Sequence, residues 1–410
     1  MPFAYLSPIA SRTISLRSTS DKVQEKEHSI KHKLEDISNK NTDLNSRPAP
    51  YTGAGERPNF NVLPLPQRQE KGNKLLARRN ISHLERLTFD NTNVDLEKRA
   101  EKVAFLKMIR DQINIDEYNE KQCGVLFDRL YDMKLELENN HSENYKSVKG
   151  SRYEGELKYC EDTLIKSNGI VLPANNVSAD GSPYMTIASQ YPLNNTESLR
   201  NYFNMLFDNN INTVYILASN NDIKKDLSKL GSEYNKSDFK KDGFKYFRED
   251  LNLGDISSIH IEKWMLSKKS EECLDCKVYT KLVTKENSDE KKKINFVHIY
   301  DWKDHTAIDA TELKNTIDIV GDNLKINPIE ENIAVHCLAG LGRTGEFIAL
   351  MEMMKIIEAR KIGAGNTEEK SLESIITDLR EKRSIKALYR PEQIAELVKI
   401  AIDNKIPLLN

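Results

Sequence analysis

The segment Ile333–Gly345, with the sequence IAVHCLAGLGRTG, constrains the fold of this chain more than any other. Its apolar start predicts a buried strand that ends at His336, and Arg343 begins a run with helical spacing. Between them lies a loop of small residues whose backbone N–H groups can turn inward around an anion. The loop residues are Leu338, Ala339, Gly340, Leu341 and Gly342. A strand, this loop and the start of a helix together predict a phosphate cradle.

Side chains at both ends of the loop give the cradle its chemistry. Cys337 is placed beside the N-terminus of the predicted helix, which should lower the pKa of the thiol and favour a nucleophilic thiolate. Arg343 can hold two phosphate oxygens with its planar fork, and Thr344 adds a hydroxyl beside the sulfur. His336 should point away from the nucleophile and act as an orienting, hydrogen-bonded core histidine. A structural cysteine followed by a chance arginine would leave the spacing of all these residues unexplained.

This segment resembles the HCxxGxGRTG signature of protein-tyrosine phosphatases, and the resemblance extends from about residue 93 to the C-terminus. Further similarity to secreted bacterial effector phosphatases of the YopH type lies in Thr186–Leu193, Tyr246–Arg248 and Ile406–Asn410. The resemblance implies an α/β fold, a twisted mixed sheet flanked by helices, and hydrolysis of phosphotyrosine through a phosphocysteine intermediate. The helix end, the N–H groups and Arg343 supply positive charge, so neither a metal nor a cofactor is expected.

The resemblance also implies a general acid on a mobile loop. The family's Trp-Pro-Asp sequence matches Trp302-Lys303-Asp304, so Asp304 is the expected acid, and Trp302 is expected to be both a core residue and a hinge. Lys303 replaces the proline that would stiffen the loop. Asp301 and Asp309 are nearby rivals for the acid, and the tryptophan favours Asp304.

Four further positions match the family less completely. Gln393 matches the second of two water-positioning glutamines, whereas Tyr389 stands at the first. Glu262 resembles the acidic residue that hydrogen-bonds the cradle arginine. Tyr153 lies in a segment similar to the family's Asn-Arg-Tyr loop and would form the aromatic wall of a deep slot, which selects phosphotyrosine over the shorter phosphoserine.

The loop between Cys337 and its arginine has no Lys or His, which favours protein phosphotyrosine over inositides.

Hydrophobic periodicity predicts the order of the elements from about residue 93. Two amphipathic helices come first, and strands alternating with helices follow. Strands are predicted at Tyr184–Ser189, Thr213–Ala218, Ser257–Met265, Lys277–Val283, Ile294–Trp302 and Ile333–His336. Helices are predicted at Thr196–Asn209, Thr311–Leu324, Arg343–Arg360, Ser371–Arg383 and Pro391–Asp403. This order predicts one α/β catalytic domain over residues 93–410.

Residues 1–92 are predicted to be a largely disordered N-terminal region, because they are polar and, in the middle, rich in proline. Three interpretations of their start remain open: a mitochondrial-like presequence, a type III secretion leader, or an ordinary mobile terminus. The family resemblance implies a secretion signal and a chaperone-binding segment here, and an enzyme that acts in the cytoplasm of a host cell. Leu63–Pro66 allows another view, an interaction protein whose proline-rich arm does the main work.

Composition argues against several other classes of protein. The formal net charge of −2 gives no reason to expect nucleic-acid binding, and the chain has no apolar run long enough for a membrane span. The scattered cysteines form no disulfide framework, which favours a reducing compartment. Cys273 and Cys276 are predicted to be two loop thiols, since no further cysteine pair or spaced histidine pair completes a zinc site. A domain that holds phosphotyrosine without turnover is the remaining alternative.

Overall fold

The computed structural model describes the chain in five stretches. These are residues 95–227, 243–267, 272–286, 288–363 and 370–410. All of them belong to the second of two units, Asn80–Asn410, into which the chain divides after Met1–Arg79. The predicted disordered region and the proline-rich Leu63–Pro66 lie outside the described residues.

The centre of the described unit is a nine-stranded mixed sheet. Its strands are β3 (Leu164–Ser167), β4 (Ile170–Asn176), β5 (Thr186–Ser189), β6 (Thr213–Ile216), β7 (Leu251–Asn252), β8 (Ile256–Leu266), β9 (Cys276–Lys285), β10 (Lys291–Ile299) and β11 (Ile333–His336). The spatial order is β3-β4-β5-β11-β6-β10-β9-β8-β7. A separate two-stranded sheet pairs β1 (Tyr145–Lys146) with β2 (Tyr159–Cys160).

The four middle strands of the large sheet, β5, β11, β6 and β10, are parallel, and both flanks are antiparallel. Helices connect and flank the strands. They are α1 (95–112), α2 (Glu117–Asn140), α3 (Thr196–Asp208), α4 (Asn220–Leu227), α5 (Ala310–Leu324), α6 (Gly342–Lys361), α7 (Leu372–Lys382) and α8 (Pro391–Asp403). The predicted fold class, a mixed sheet flanked by helices, is confirmed.

Apolar side chains fill the space on both faces of the sheet. The buried residues form two main clusters, a larger and a smaller one. Neighbouring residues of β11 pack on opposite faces of the sheet: Val335 packs with the larger cluster, and Ala334 packs with the smaller one. Helix α6 lies in the larger cluster, where Phe347 and Leu350 are fully buried. Helix α3 packs in the smaller cluster through residues such as Phe203. Both ends of the β11–loop–α6 segment are therefore held by the core.

The sequence pattern located the strands that are buried along their whole length and missed two that are partly exposed. The strands β3 and β4 were not predicted, because β3 carries only one fully buried residue and β4 exposes its first two. The strand predicted to reach Trp302 ends at Ile299, and the tryptophan lies in the following loop. Its indole is only 1% exposed and explains the apolar signal at that position.

Candidate active site

The carboxyl ends of the four parallel strands bring the candidate residues together, as expected for an α/β sheet. Strand β11 ends directly before Cys337, β6 leads into 217–222, and β10 leads into the acid loop, residues 300–309. Strand β5 leads into Gln190, whose side-chain oxygen accepts a hydrogen bond from Arg152 N at 3.0 Å. Residues far apart in the sequence thus meet at one edge of the sheet.

The cradle places Cys337 at the bottom of a loop whose N–H groups face the sulfur. Gly340 N donates to Cys337 Sγ at 3.3 Å, and Cys337 N donates to Thr344 Oγ1 at 2.9 Å. Helix α6 begins at Gly342 without a side-chain cap, so its first N–H groups are available to an anion. The thiol is 4% exposed.

The electrostatics of the cradle favour a thiolate. Burial alone would raise the pKa of Cys337, but the Arg343 guanidinium and hydrogen bonds from Thr344 and the loop backbone lower it below its ordinary value of 9.0. Two other buried thiols behave oppositely, since burial raises the pKa of Cys123 and of Cys276 to about 12. Of these three thiols, only Cys337 combines a lowered pKa with a loop that can hold a phosphate.

Gly340 is a position where only glycine fits. Its φ is +71°, and a Cβ there would lie 2.0 Å from Ser189 O and 2.9 Å from an Arg383 Nη2. The Arg383 guanidinium in turn donates to Gly340 O at 3.1 Å and lies over the ring of Tyr159 at 4.3 Å. The loop is therefore fixed from outside by strand β5 and by the residue after α7.

Arg343 is 1% exposed and is held mainly through one nitrogen. Its Nη1 donates to Asp222 Oδ2 at 2.7 Å, to Trp302 O at 2.8 Å and to Leu217 O at 3.0 Å. Its Nη2 donates to Asp304 Oδ1 at 2.8 Å. Among the described residues, the buried Nε–H has no hydrogen-bond partner. Nε, and Nη2 once Asp304 moves, can hold two phosphate oxygens.

Asp222 occupies the place that the sequence analysis gave to Glu262, and that prediction is wrong. Glu262 lies in an exposed stretch of β8, where the last strands of the sheet carry it away from the cradle. Asp222 instead forms a reciprocal cap with Ser219: Ser219 N donates to the aspartate at 3.0 Å, and Asp222 N donates to Ser219 Oγ at 3.1 Å. A Ser-x-x-Asp capping box directly after β6 is the sequence signal that could have identified this residue.

The acid loop carries Asp304 into the same cleft. Trp302 anchors the loop, because its indole Nε1 donates to Thr306 O at 3.0 Å and its carbonyl accepts from Arg343. The rivals lie differently: Asp309 caps α5 by accepting from the N–H groups at 311 and 312, whereas Asp301 is exposed on the rim. Of these three aspartates, Asp304 alone contacts the cradle arginine.

Gln393 lies directly over the cradle, because a Cβ added to Gly342 would lie 3.1 Å from Gln393 Oε1. Its Nε2 donates to Thr306 O at 3.3 Å, which joins α8 to the acid loop. Tyr389, at the position of the family's other glutamine, is 37% exposed and bonds His305 Nδ1 at 3.3 Å. Tyr389 and Gln393 both line the cleft above the thiol.

Tyr153 lines two openings. One is a cleft of about 400 Å³ that contains Cys337, Arg343 and Gln393, and the other is a groove of about 800 Å³ whose lining includes Asp222. Asp304 also lines both. The adjacent Arg152 donates to the carbonyls of residues 191 and 192, which anchors the tyrosine loop.

His336 lies beneath the cradle, where it is fully buried. Its Nε2 lies 2.6 Å from Tyr246 Oη, and its Nδ1 lies 3.1 Å from Cys337 O. Burial lowers the pKa of His336 to about 3, so the ring is neutral and donates one hydrogen bond while accepting the other. Both ring nitrogens are therefore occupied by buried partners, and the orienting role of His336 stays a prediction.

Cys273 and Cys276 are both buried, and Cys276 is the first residue of β9 rather than a loop residue. Over the described residues, no group of three or more His, Cys, Asp or Glu side chains could hold a metal ion. No helix in the described part of the chain is long and apolar enough to cross a membrane.

Comparison with known proteins agrees with this geometry. The sequence profile of the protein-tyrosine phosphatases matches residues 159–403, which is more than half of the chain. The chain belongs to the protein-tyrosine phosphatase family. The matched region contains the cradle, the acid loop and Gln393, but it begins after Tyr153.

Similar proteins come from bacteria and from animals. The tyrosine-protein phosphatase YopH of Yersinia pseudotuberculosis is 25% identical over 275 residues, 62% of this chain and 51% of YopH. The human receptor-type tyrosine-protein phosphatase eta is 26% identical over 74% of this chain and 22% of its own length. The secreted effector protein SptP of Salmonella paratyphi A is 22% identical over 58% of this chain and 39% of its own. The chain thus matches about half the length of YopH, and less of the others.

Solved structures support the fold. The catalytic domain of human protein tyrosine phosphatase non-receptor type 18 aligns with 68% of this chain and 95% of its own, at a TM-score of 0.50 and 17% identity. A complex of PTPN18 with a phosphopeptide aligns with 74% of this chain and 99% of that chain, at a TM-score of 0.52 and 16% identity. At these identities, the likeness concerns the fold alone.

Proposed function

We propose that this chain hydrolyses phosphotyrosine in proteins through a phosphocysteine intermediate, with Cys337 as the nucleophile. The observation that carries the proposal is the cradle itself. A thiol whose pKa is lowered lies at the start of an uncapped helix, beside an arginine with a free buried N–H. Charge that develops on a transferring phosphoryl group would meet donors already in place. The family membership of the domain supports the same chemistry.

In the first step, the phosphate dianion takes the place of Asp304 on Arg343. The Sγ thiolate attacks phosphorus, the bond to the tyrosyl oxygen breaks, and its electron pair leaves on that oxygen. Asp304, protonated and released from the arginine, gives its proton to the leaving phenolate. Asp222 keeps the guanidinium oriented throughout, since it bonds Nη1 rather than the nitrogens that face the phosphate.

In the second step, a water molecule attacks the phosphocysteine. Asp304, now a carboxylate, accepts a proton from this water, the S–P bond breaks, and its electron pair returns to Cys337 as a thiolate. Thr344 stabilises the leaving thiolate with its hydroxyl. Gln393, over the cradle and bonded to the acid loop, is placed to orient the water.

The depth of the cleft determines the substrate class. Cys337 lies at the bottom and Tyr153 on the wall, so a phosphoryl group must reach down past an aromatic ring. Tyrosyl phosphate is long enough to do so. We therefore expect phosphotyrosine peptides to be hydrolysed and phosphoserine peptides to be poor substrates.

A peptide assay tests the proposal. Matched phosphotyrosine and phosphoserine peptides are compared for phosphate release, with Tyr153→Ala and Tyr153→Phe as variants. Tyr153→Ala should raise KM for the phosphotyrosine peptide more than for a small aryl phosphate, and Tyr153→Phe should retain the ring and the lower KM. Equal rates on the two peptides would contradict the deep-slot account. Binding of phosphotyrosine without release of phosphate would favour the binding-module alternative instead.

We further propose an effector role, in which the N-terminal region carries a secretion signal and binds a chaperone. The similarity to YopH and to a protein named as a secreted effector supports this role. Animal receptor phosphatases match as well. Fusion of residues 1–92 to a reporter in a bacterium with a type III system tests the proposal. Secretion supports it, and retention of the fusion in the bacterium would oppose it.

A further inference from the structure

Arg383 is a fully buried arginine that the proposed mechanism does not use. It directly follows α7 and is 1% exposed. Its Nε donates to Gly340 O at 3.1 Å, its Nη1 to Asn175 Oδ1 at 2.5 Å, and its Nη2 to Pro173 O at 3.3 Å. The guanidinium also lies over the ring of Tyr159 at 4.3 Å. One buried side chain thus contacts the cradle loop from within the core.

The charge of Arg383 has no carboxylate partner in the described part of the chain. Burial lowers the pKa of Arg383 to about 10, so the guanidinium is still charged at neutral pH. The acidic groups whose charges act on it are the phenol of Tyr159 and the thiol of Cys337. Burial raises the pKa of Tyr159, so this phenol stays neutral. A buried charge without a counter-charge is unfavourable, and of these two groups the Cys337 thiolate is the anion that compensates it.

A single peptide unit joins this arginine to the nucleophile. The carbonyl of Gly340 accepts from Arg383 Nε, and a backbone hydrogen bond from Leu341 N–H lowers the pKa of Cys337. Because the C=O and N–H of a trans peptide point in opposite directions, a donor that holds this carbonyl also directs the N–H toward the sulfur. Gly340 N donates to the same sulfur at 3.3 Å. Arg383 therefore anchors the part of the loop that donates to Cys337.

Arg380 shows how a buried arginine on the same helix behaves without this contact. It is 3% exposed and donates to backbone carbonyls, among them Leu130 O at 2.6 Å. Burial lowers its pKa to about 10 as well, but the charge of Cys337 is not among the causes. Interaction with the nucleophile is therefore specific to the position of Arg383.

We propose that Arg383 is a positioning residue that anchors the peptide between Gly340 and Leu341 and stabilises the anion at Cys337 from within the core. This inference rests on the proposed phosphatase function. Before the first step the anion is the thiolate, and after it the anion is the phosphoryl group held by the loop. Arg343 binds that group directly, whereas Arg383 acts through the loop backbone and through its charge.

Alkylation by iodoacetamide over a range of pH tests the inference without any turnover. Only the thiolate reacts, and mass spectrometry of the peptide that contains Cys337 separates its rate from those of the other cysteines. Arg383→Met removes the charge and the donors, so the pH midpoint for Cys337 should rise by about one unit. Arg383→Lys keeps the charge and should raise the midpoint by less than about half a unit. Arg380→Met is the matched control and should leave the midpoint unchanged.

Two outcomes of this titration overturn the inference. One is an unchanged midpoint in folded Arg383→Met, and the other is an equal rise in Arg383→Lys and Arg383→Met. The pH dependence of kcat/KM for an aryl phosphate then distinguishes the proposed role from a loosened structure. In Arg383→Met, kcat/KM near neutral pH should fall by about tenfold, and its acidic limb should move in the same direction as the alkylation midpoint. A fall in kcat/KM without any movement of that limb shows only a structural role and contradicts the inference.

Asn175→Asp provides a second test that keeps Arg383 in place. It puts a carboxylate where the amide oxygen now lies 2.5 Å from Nη1, which gives the cation the partner it lacks. The alkylation midpoint of Cys337 should again rise by about one unit, and an unchanged midpoint in the folded variant would overturn the inference. Thermal unfolding identifies a variant that fails to fold, and the other substitution then decides. Wild type that is alkylated at low pH but releases no phosphate would overturn the phosphatase proposal itself, which is a separate outcome.

Discussion

The cradle and the acid loop are held by different kinds of contact. In the cradle, Cys337 is 4% and Arg343 is 1% exposed, and the backbone between them is fixed by β11, β5 and α6. In the acid loop, the side chains of Asp304 and His305 are 43% and 62% exposed. The groups that stabilise charge are therefore part of the core. The proposed general acid, Asp304, depends on a few contacts between surface segments.

This difference explains where the chain departs from the family pattern. The cradle keeps every residue of the signature, whereas Lys303 and Tyr389 replace expected residues in and beside the acid loop. Tyr389 Oη and Arg390 Nη2 lie 3.3 Å and 3.2 Å from His305 Nδ1. These contacts join α8 to the loop where the family has a glutamine. Exposed positions tolerate such exchange because less packing depends on them.

The largest effect is expected from the nucleophile. Cys337→Ser should lower kcat by at least about 10⁴-fold, the scale found when a covalent nucleophile is removed, because a hydroxyl is not ionised there. Phosphate-ester binding should persist, since the cradle backbone is unchanged. Cys276→Ser is the matched control, because it also replaces a buried thiol. If Cys337→Ser keeps a few per cent of wild-type turnover, measured by phosphate release, another residue is the nucleophile.

The next largest effect is expected from Asp304 in the acid loop. Its size should depend on the leaving group of the substrate, which distinguishes the acid loop from the cradle. Asp304→Asn should slow hydrolysis of phosphotyrosine by about 10²- to 10⁴-fold, the range for loss of a general acid. An activated aryl phosphate should be slowed far less in its first step, because it needs no proton. Single-turnover rates for both substrates provide the measurement. Equal slowing would mean that Asp304 is not the acid, and Asp301 would be tested next.

A smaller effect is expected beneath the cradle arginine. Asp222→Asn removes a charge-assisted hydrogen bond worth about 1.5–3 kcal/mol, so kcat/KM should fall by about tenfold to 10²-fold for both kinds of leaving group. Glu262→Gln, on the exposed face of β8, should leave kcat/KM unchanged. If the two variants behave in the reverse way, the assignment of the arginine partner is wrong.

The smallest effect concerns the carboxyl group between the two regions. Burial on α6 raises the pKa of Glu346 well above its ordinary 4.5, so we expect the folded chain to hold this proton at pH values where the unfolded chain releases it. Stability therefore falls as pH rises above that value, by about 1.4 kcal/mol per pH unit, until the folded-state pKa is passed. Glu346→Gln should be more stable than wild type by a margin that widens with pH. Melting temperatures between pH 5 and 8 test this, and a constant margin contradicts it.

The strand, loop and helix start around Cys337 and Arg343 lie where the sequence pattern predicts them, because all these parts lie in one short segment. A strand, small loop residues and a helix start specify the position of Cys337 and Arg343 locally. Asp222 was missed and Glu262 was wrongly preferred because the partner of a buried arginine is decided by strand order, which no local pattern states. Glu346 appeared as an ordinary helix residue, and only the packing of α8 and the acid loop shows that its carboxyl is buried.

In the proposed mechanism Cys337 carries the phosphoryl group between the two steps, and trapping this intermediate tests that role. The Gln393→Ala variant, in which the second step is slowed, is mixed with an aryl phosphate, quenched in acid within the first turnover and digested. Mass spectrometry should find one phosphoryl group on the peptide that contains Cys337, in an amount equal to the burst of aryl alcohol. A burst with no modified Cys337, or with phosphate on another residue, would contradict the account.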